Sequence, residues 1–166
     1  DNGGDLKTAA NCGSLRGGKM DMYEGGIRVP MGASWPGKIR PHSTSGYLGL
    51  TMDLFPTICD AAGVKSVKGI EGISMLGTLV GQMAPPLSRP IIWVGRSGGN
   101  SYQGHDYYAV RLGRWKLVQN SPLGPYELFN LRDDPGEEHD IGNQEPQTKD
   151  RLADILKLHI KKAGAI

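Results

Sequence analysis

The sequence predicts an α/β protein whose loop-rich first half leads into a small antiparallel sheet with one long C-terminal helix. Three observations carry this. Leu152, Ile155, Leu156, His159, Ile160 and Ala163 recur at i, i+3, i+4, i+7, i+8 and i+11, which places them on one helix face. Upstream, Pro90-Ile91-Ile92-Trp93-Val94, Asp106 to Arg111, Trp115 to Asn120 and Tyr126 to Asn130 form short runs. The second and third flank Leu112-Gly113-Arg114, a hairpin signature with glycine in the turn. Before Arg89 the chain is rich in Gly, Pro and polar residues, with one helical pattern near Asp53.

Taken in order, residues 1 to 26 show no sustained period of two or 3.6 and read as loop. Ile27 to Ser34 is a short β-like run closed by Trp35-Pro36-Gly37, a turn signal. Residues 36 to 46 are polar and turn-rich. A helix is expected from Asp53, a good N-cap, with Pro56 in its first turn, where the missing N–H costs little. Leu54, Phe55, Ile58, Ala61 and Ala62 fall at helical spacing, and Gly63 suits a left-handed stop. Residues 64 to 89 read as loop with one turn of helix around Met75–Val80, and Asp133-Asp134-Pro135-Gly136 is a tight turn. The last helix carries Lys157, Lys161 and Lys162 near its C-terminus, as the helix dipole favours, and Gly164 ends it. Two regions follow: residues 1–85, and residues 86–166 holding the sheet and the long helix.

At 166 residues, 38% hydrophobic and 22% charged, the chain can bury a real core. Its net charge of +2 gives no case for a nucleic-acid or membrane-surface partner. No apolar run approaches the roughly 18 residues that span a bilayer. Cys12 and Cys59 define neither a disulfide framework nor a four-ligand zinc site, and read as unpaired thiols.

The stretch with the most chemistry is Leu15-Arg-Gly-Gly-Lys-Met-Asp-Met-Tyr-Glu-Gly-Gly-Ile-Arg-Val-Pro30. Its two glycine pairs allow sharp bends or close approach to a ligand. Lys19 follows the first pair, where its ammonium can meet an anion as a compact point charge. The plain alternative is a surface loop with a solvated lysine.

Leu15-Arg16-Gly17-Gly18-Lys19 and Tyr23-Glu24-Gly25-Gly26-Ile27-Arg28-Val29-Pro30 resemble the second signature of the sulfatases, sulfuric ester hydrolases of the alkaline-phosphatase superfamily. Asp1-Asn2-Gly3-Gly4 resembles the Asp-Asn-Gly that precedes it, and Trp35-Pro36-Gly37-Lys38-Ile39 the segment that follows. Met52-Asp53-Leu54-Phe55-Pro56-Thr57, Arg111-Leu112-Gly113-Arg114-Trp115-Lys116-Leu117, Glu127-Leu128-Phe129-Asn130-Leu131 and Asp134-Pro135-Gly136-Glu137 continue in sulfatase order. The resemblance implies a partial alkaline-phosphatase-like α/β fold: residues 1–85 as the tail of the large α/β domain and 86–166 as the small C-terminal subdomain. It implies the last third of a longer enzyme found in periplasm, lysosome or secretion, acting on a sulfated small molecule or glycan. It further implies Ca2+ as cofactor with Asp1 and Asn2 as two metal ligands, Lys19 as the catalytic sulfate contact, and a formylglycine nucleophile upstream of Asp1, so that this chain alone is inactive. Hard oxygen donors such as Asp1 and Asn2 suit calcium, but two fall far short of its six to eight ligands, and at a chain terminus their plain reading is a disordered end.

Arg96 and His105, in or beside the glycine-rich loop Gly95–Asp106, are candidates for touching the rest of the substrate, with a solvated loop as the default. Cys12-Gly13-Ser14-Leu15-Arg16 has the outer residues of a formylglycine motif, but Ser14 stands where that motif has Pro or Ala. His159 reads as a core or rim residue and His139 as part of a polar turn. Two other functions stay open: a stand-alone non-catalytic module, which could form a homo-oligomer, and a phosphate or phosphonate ester hydrolase of the same superfamily.

Overall fold

In a computed structural model of the chain, residues 2–8, 10–65, 68–82, 89–96 and 105–163 are described. The chain forms two compact units, Asp1–Pro30 with Ser88–Ile166, and Met31–Leu87. The first thirty residues thus fold with the C-terminal part of the chain. The expected junction at 85–86 lies outside the described residues. Among the described residues the α-helices are α1 (Glu24–Ile27), α2 (Leu54–Ala61), α3 (Leu76–Leu79) and α4 (Pro146–Lys162), and the strands are β1 (Ile91–Arg96), β2 (Asp106–Leu112), β3 (Trp115–Gln119) and β4 (Glu127–Asn130). No helix among them is long and apolar enough to cross a membrane.

The first unit is built on one antiparallel sheet in the order β1-β2-β3-β4. The expected hairpin is present with Gly113 in its turn at φ 60°, but Leu112 pairs with Trp115, so the turn is only Gly113 and Arg114. Strand side chains alternate between faces. Val110, Leu117 and Leu128 point to one face, where Leu152, Ala153 and Leu156 of α4 cover them. Tyr107, Ala109, Val118 and Phe129 point to the other, where Met22 and Tyr23 cover them. The sheet therefore sits between a helix and the glycine-rich loop. Helix α4 follows the expected period: Leu152 and Leu156 are buried, and His159 and Ile160 are half-buried at the rim. It starts with Pro146, whose fixed φ suits a first helical position.

Two local expectations are corrected here. The first 26 residues are not all loop, since Leu6–Thr8 is a 3-10 turn and α1 begins at Glu24. The β-like run from Ile27 to Ser34 is not a strand: Ile27 closes α1, the Arg28 N–H donates back to Glu24 O at 2.8 Å, and 28–35 carry no regular structure. Pro30 brings no N–H to a ladder, and Val29 and Met31 are exposed, so nothing there favours pairing.

In the second unit, α2 and α3 stand where helix was expected, and Gly63 ends α2 at φ 69°. Asp53 does not cap α2 with its side chain. It is buried, and its carboxylate accepts the Leu50 N–H at 2.9 Å and the Ile73 N–H at 2.8 Å. Thr57 donates to Asp53 O and accepts the Met75 N–H at 3.0 Å. The inward residues of α2 are Pro56 and Thr57, whereas Leu54, Phe55 and Ile58 are 42%, 51% and 65% exposed.

Candidate functional site

Residues 16–27 fold back on themselves because glycine allows it. Gly17 has φ 74°, and a Cβ at Gly25 would lie 2.2 Å from Gly17 O and one at Gly26 2.1 Å from Asp21 O. Only a residue without a side chain fits either position. The loop is closed by Gly25 N–H to Arg16 O at 2.8 Å and by Gly18 N–H to Asp21 Oδ2 at 2.8 Å. The N-terminal segment runs beside it, with Gly3 N–H on Gly26 O and Lys19 N–H on Gly4 O, both at 2.8 Å. Lys19 lies in an exposed turn, and its side chain enters no ion pair among the described residues.

Beneath this turn is a network of charges on the loop-facing side of the sheet. Lys116 of β3 is fully buried, with Nζ 3.0 Å from Glu24 Oε1 and 2.8 Å from Glu137 Oε1. Glu137 Oε1 has Lys116 as its partner, in a close ion pair. Its Oε2 accepts the Glu24 N–H at 2.5 Å. Arg111 of β2 lies 3.5 Å from Glu24 Oε2. Arg16 donates to Glu137 O at 2.9 Å, pairs with Glu127 at 3.3 Å, and lies 3.8 Å from the centre of the Tyr23 ring. The Tyr23 hydroxyl donates to Glu127 Oε2. Burial raises the Glu137 carboxyl above its ordinary value, against the opposing pull of Lys116. Burial, and then the bond to Glu127, raises the Tyr23 phenol. Burial lowers the Arg111 guanidinium, partly offset by Glu24.

The residues singled out from the sequence fall as follows. Asp1 lies outside the described residues, and Asn2 is exposed, two residues before the Gly4 carbonyl that holds Lys19. Arg96 ends β1 opposite Asp106, and its side chain lies outside the described set. His105 is exposed just before β2. That end of the sheet meets the lysine turn, because the Tyr107 hydroxyl donates to Met20 O at 2.8 Å. Cys12 donates through Sγ to Gly25 O at 3.4 Å, and the Arg16 of its motif is committed to Glu127 and Tyr23.

Among the described residues no group of three or more His, Cys, Asp or Glu could hold a metal ion. The Asn2 amide oxygen is of the type calcium takes, but it is one donor where six to eight are needed. These residues do not by themselves make a metal site, and no chemical step is assigned to one. An open groove of about 660 Å³ lies beside Arg16, lined also by Glu127, Glu138 and Asp140. Those carboxylates repel an anion, so the groove is not where sulfate would sit.

Lys116, Glu137, Arg111 and Glu127 entered the sequence reading only as members of family motifs, with no role given to any of them. A signal was present. On β2, β3 and β4, Arg111, Lys116 and Glu127 fall in phase with Ala109, Val118 and Phe129, which puts charge on an inward face. Glu137 gave no such signal, since it follows a turn and sits at φ 55°.

Comparison with known proteins agrees with this architecture. The family described as "N-sulphoglucosamine sulphohydrolase, C-terminal" matches residues 18–163. N-acetylgalactosamine-6-sulfatase of Mus musculus is 40% identical over 146 residues, covering 82% of this chain and 26% of the relative. Arylsulfatase A of Bos taurus is 31% identical over 151 residues, covering 78% and 29%. The chain thus spans under a third of the length of these relatives. A solved structure titled "Crystal structure of Ps i-CgsB in complex with k-i-k-neocarrahexaose" superposes with a TM-score of 0.83 at 27% identity, over 94% of this chain and 34% of that one. The small four-stranded sheet with its C-terminal helix fits a partial alkaline-phosphatase-like α/β fold. The chain belongs to the sulfatase family, as a match to its N-sulphoglucosamine sulphohydrolase C-terminal region.

Proposed function

We propose that this chain serves a sulfuric ester hydrolase acting on a sulfated carbohydrate or aryl ester, and that its part is to present Lys19 to the sulfate group. The observation that carries this reading is the pairing of an exposed Lys19 with the Asn2–Gly4 segment through Lys19 N–H and Gly4 O, 2.8 Å apart. The Asn2 segment and a cation are thereby kept side by side. The sugar substrate is supported by a relative named for a galactosamine sulfatase and a structural neighbour titled as an oligosaccharide complex.

Mechanistically, Lys19 would meet the sulfate oxygens as a fixed positive charge and stabilise the negative charge that shifts toward the leaving oxygen. Asp1 and Asn2 would be two ligands of a calcium ion completed by residues beyond this chain; when bound, the ion would supply further positive charge. Arg96 and His105, at the sheet end that meets the lysine turn, would contact the sugar. The nucleophile lies outside these residues, because Cys12 is engaged with Gly25 and its motif lacks the central residue.

The test has two parts. The 166-residue chain, assayed with an aryl sulfate and calcium, should show no turnover; robust turnover overturns the placement of the nucleophile. The chain completed to the length of its relatives should hydrolyse a sulfated sugar, and Lys19→Ala should lower kcat/KM by about 10²-fold or more, the scale seen when a charge-stabilising group is removed. An unchanged rate sinks the role of Lys19.

One observation favours a second reading. Leu54, Phe55 and Ile58 form an exposed apolar face on α2, as a non-catalytic module that self-associates would have. Sedimentation of this chain decides it, since a well-folded monomer counts against that reading.

A further inference from the structure

Lys19 stands between two unusual backbone positions. Gly17 has φ 74°, and Met20, which carries a side chain, has φ 79°. A non-glycine residue in this region is strained and persists only where its surroundings hold it. Met20 is 66% exposed, so packing of its own side chain does not hold it. The sheet does. The Tyr107 hydroxyl donates to Met20 O at 2.8 Å. Asn120, just past β3, accepts the Met22 N–H through Oδ1 at 2.6 Å and donates through Nδ2 to Asp21 Oδ1 at 2.9 Å. The other oxygen of Asp21 takes the Gly18 N–H at 2.8 Å. Tyr107 thus holds Met20, and Asn120 holds Met22, Asp21 and, through Asp21, Gly18, while Lys19 itself contributes only its N–H to Gly4 O.

We infer that Asn120 and Tyr107 are positioning residues: they clamp the strained Gly18–Met22 turn so that the Lys19 ammonium is held in one place for the anion. This rests on the sulfate-contacting role proposed for Lys19. The physical reason is that a flexible lysine on a loose glycine turn spreads its charge over many positions, and misplacement by about 1 Å can cost about 10²-fold in rate.

The first arm of the test needs no activity. In the 166-residue chain, Asn120→Ala should speed amide exchange at Gly18 and Met22 by about tenfold or more, while Ala109 and Val118 in the paired strands change little. Equal protection in both proteins overturns the clamp. The second arm uses the chain completed to the length of its relatives and a sulfated sugar. Asn120→Ala should lower kcat/KM by roughly ten- to a hundredfold, and Tyr107→Phe by less. In a Lys19→Ala background the Asn120→Ala change should add less than about twofold, because there is then no ammonium to aim. A purely structural role predicts the same fold-loss in both backgrounds and would sink the inference.

Asn120→Asp keeps the acceptor for Met22 but sets a second carboxylate against Asp21. It should therefore lower kcat/KM as Asn120→Ala does; an unchanged rate in the folded variant contradicts the clamp. Met20→Gly removes the strain, so the protein should stay folded while kcat/KM falls, and a full rate in a folded Met20→Gly protein also contradicts it. Should the completed wild type hydrolyse no sulfate ester, the proposed function fails, and amide exchange still decides whether the clamp exists.

Discussion

The two faces of the four-stranded sheet solve different problems with the same backbone. On the α4 face the inward residues are Val110, Leu117 and Leu128 against Leu152, Ala153 and Leu156, with no charge among them. On the loop face Ala109, Val118 and Phe129 share the surface with Arg111, Lys116 and Glu127, and the covering segment is a glycine-rich loop with a single helical turn, α1, in place of a long helix. Apolar contacts are non-directional and suit a helix that needs only to be held on. A glycine-rich loop has little side chain to bury and few regular hydrogen bonds. Its path must be specified by directed partners, and the paired charges of Lys116, Glu24 and Glu137 supply them. One face holds the fold together, and the other holds a conformation.

Neighbouring residues of β3 give the sharpest way to break this comparison, since Lys116 and Leu117 point to opposite faces. Leu117→Ala should cost about 2–5 kcal/mol through lost burial and a cavity. Lys116→Met should cost about 3–5 kcal/mol, because it leaves Glu137 buried without a cation and takes from Glu24 its nearest one, with Arg111 at 3.5 Å remaining. The two differ in what rescues them. Adding Glu24→Gln and Glu137→Gln to Lys116→Met should restore much of the loss, while the same pair should not help Leu117→Ala. Urea denaturation of the series checks this. A Lys116→Met protein within about 1 kcal/mol of wild type would mean that the charges do not hold the loop.

The apolar face was the legible one. Period 3.6 in α4 and the Gly113 turn both read directly from residue order, since each depends on neighbours in sequence. The lysine turn was visible through its motif. The clamp around it was not, because Asn120 lies 98 residues from the Met22 it holds, and Glu137 lies 113 from Glu24. Such pairings appear only once the sheet has set strand order. The β-like run from Ile27 failed for a related reason: apolar and β-branched residues favour a strand only where a partner edge is offered.

A smaller effect separates the faces by pH. Burial raises the Glu137 carboxyl while Lys116 pulls the other way, and the rise wins. The folded protein therefore keeps a proton that the unfolded chain, titrating near 4.3, has released. In that window the native state binds more protons, so stability falls as pH rises from about 4.3 through the raised value. Glu137→Gln should remove this slope, so that the advantage of wild type over the variant shrinks as pH increases. Thermal midpoints taken in steps from pH 4 to 7 read it directly. An advantage that grows with pH would mean that Lys116 outweighs burial at this site.

The smallest change in stability should come from the residue given the largest role in function. Lys19 is exposed, pairs with no carboxylate among the described residues, and is tied to the fold by its backbone N–H, which alanine also has. Lys19→Ala should therefore shift stability by no more than about 0.5 kcal/mol, as for surface substitutions that touch nothing. The charge-bearing face would then show its division of labour plainly. Its buried cation, Lys116, is needed for the fold, and its exposed cation, Lys19, is left free to meet an anion. If Lys19→Ala instead costs 2 kcal/mol or more by the scale of buried contacts, the ammonium is engaged within the protein and is not available to a sulfate. Thermal denaturation of the single variant distinguishes the two outcomes.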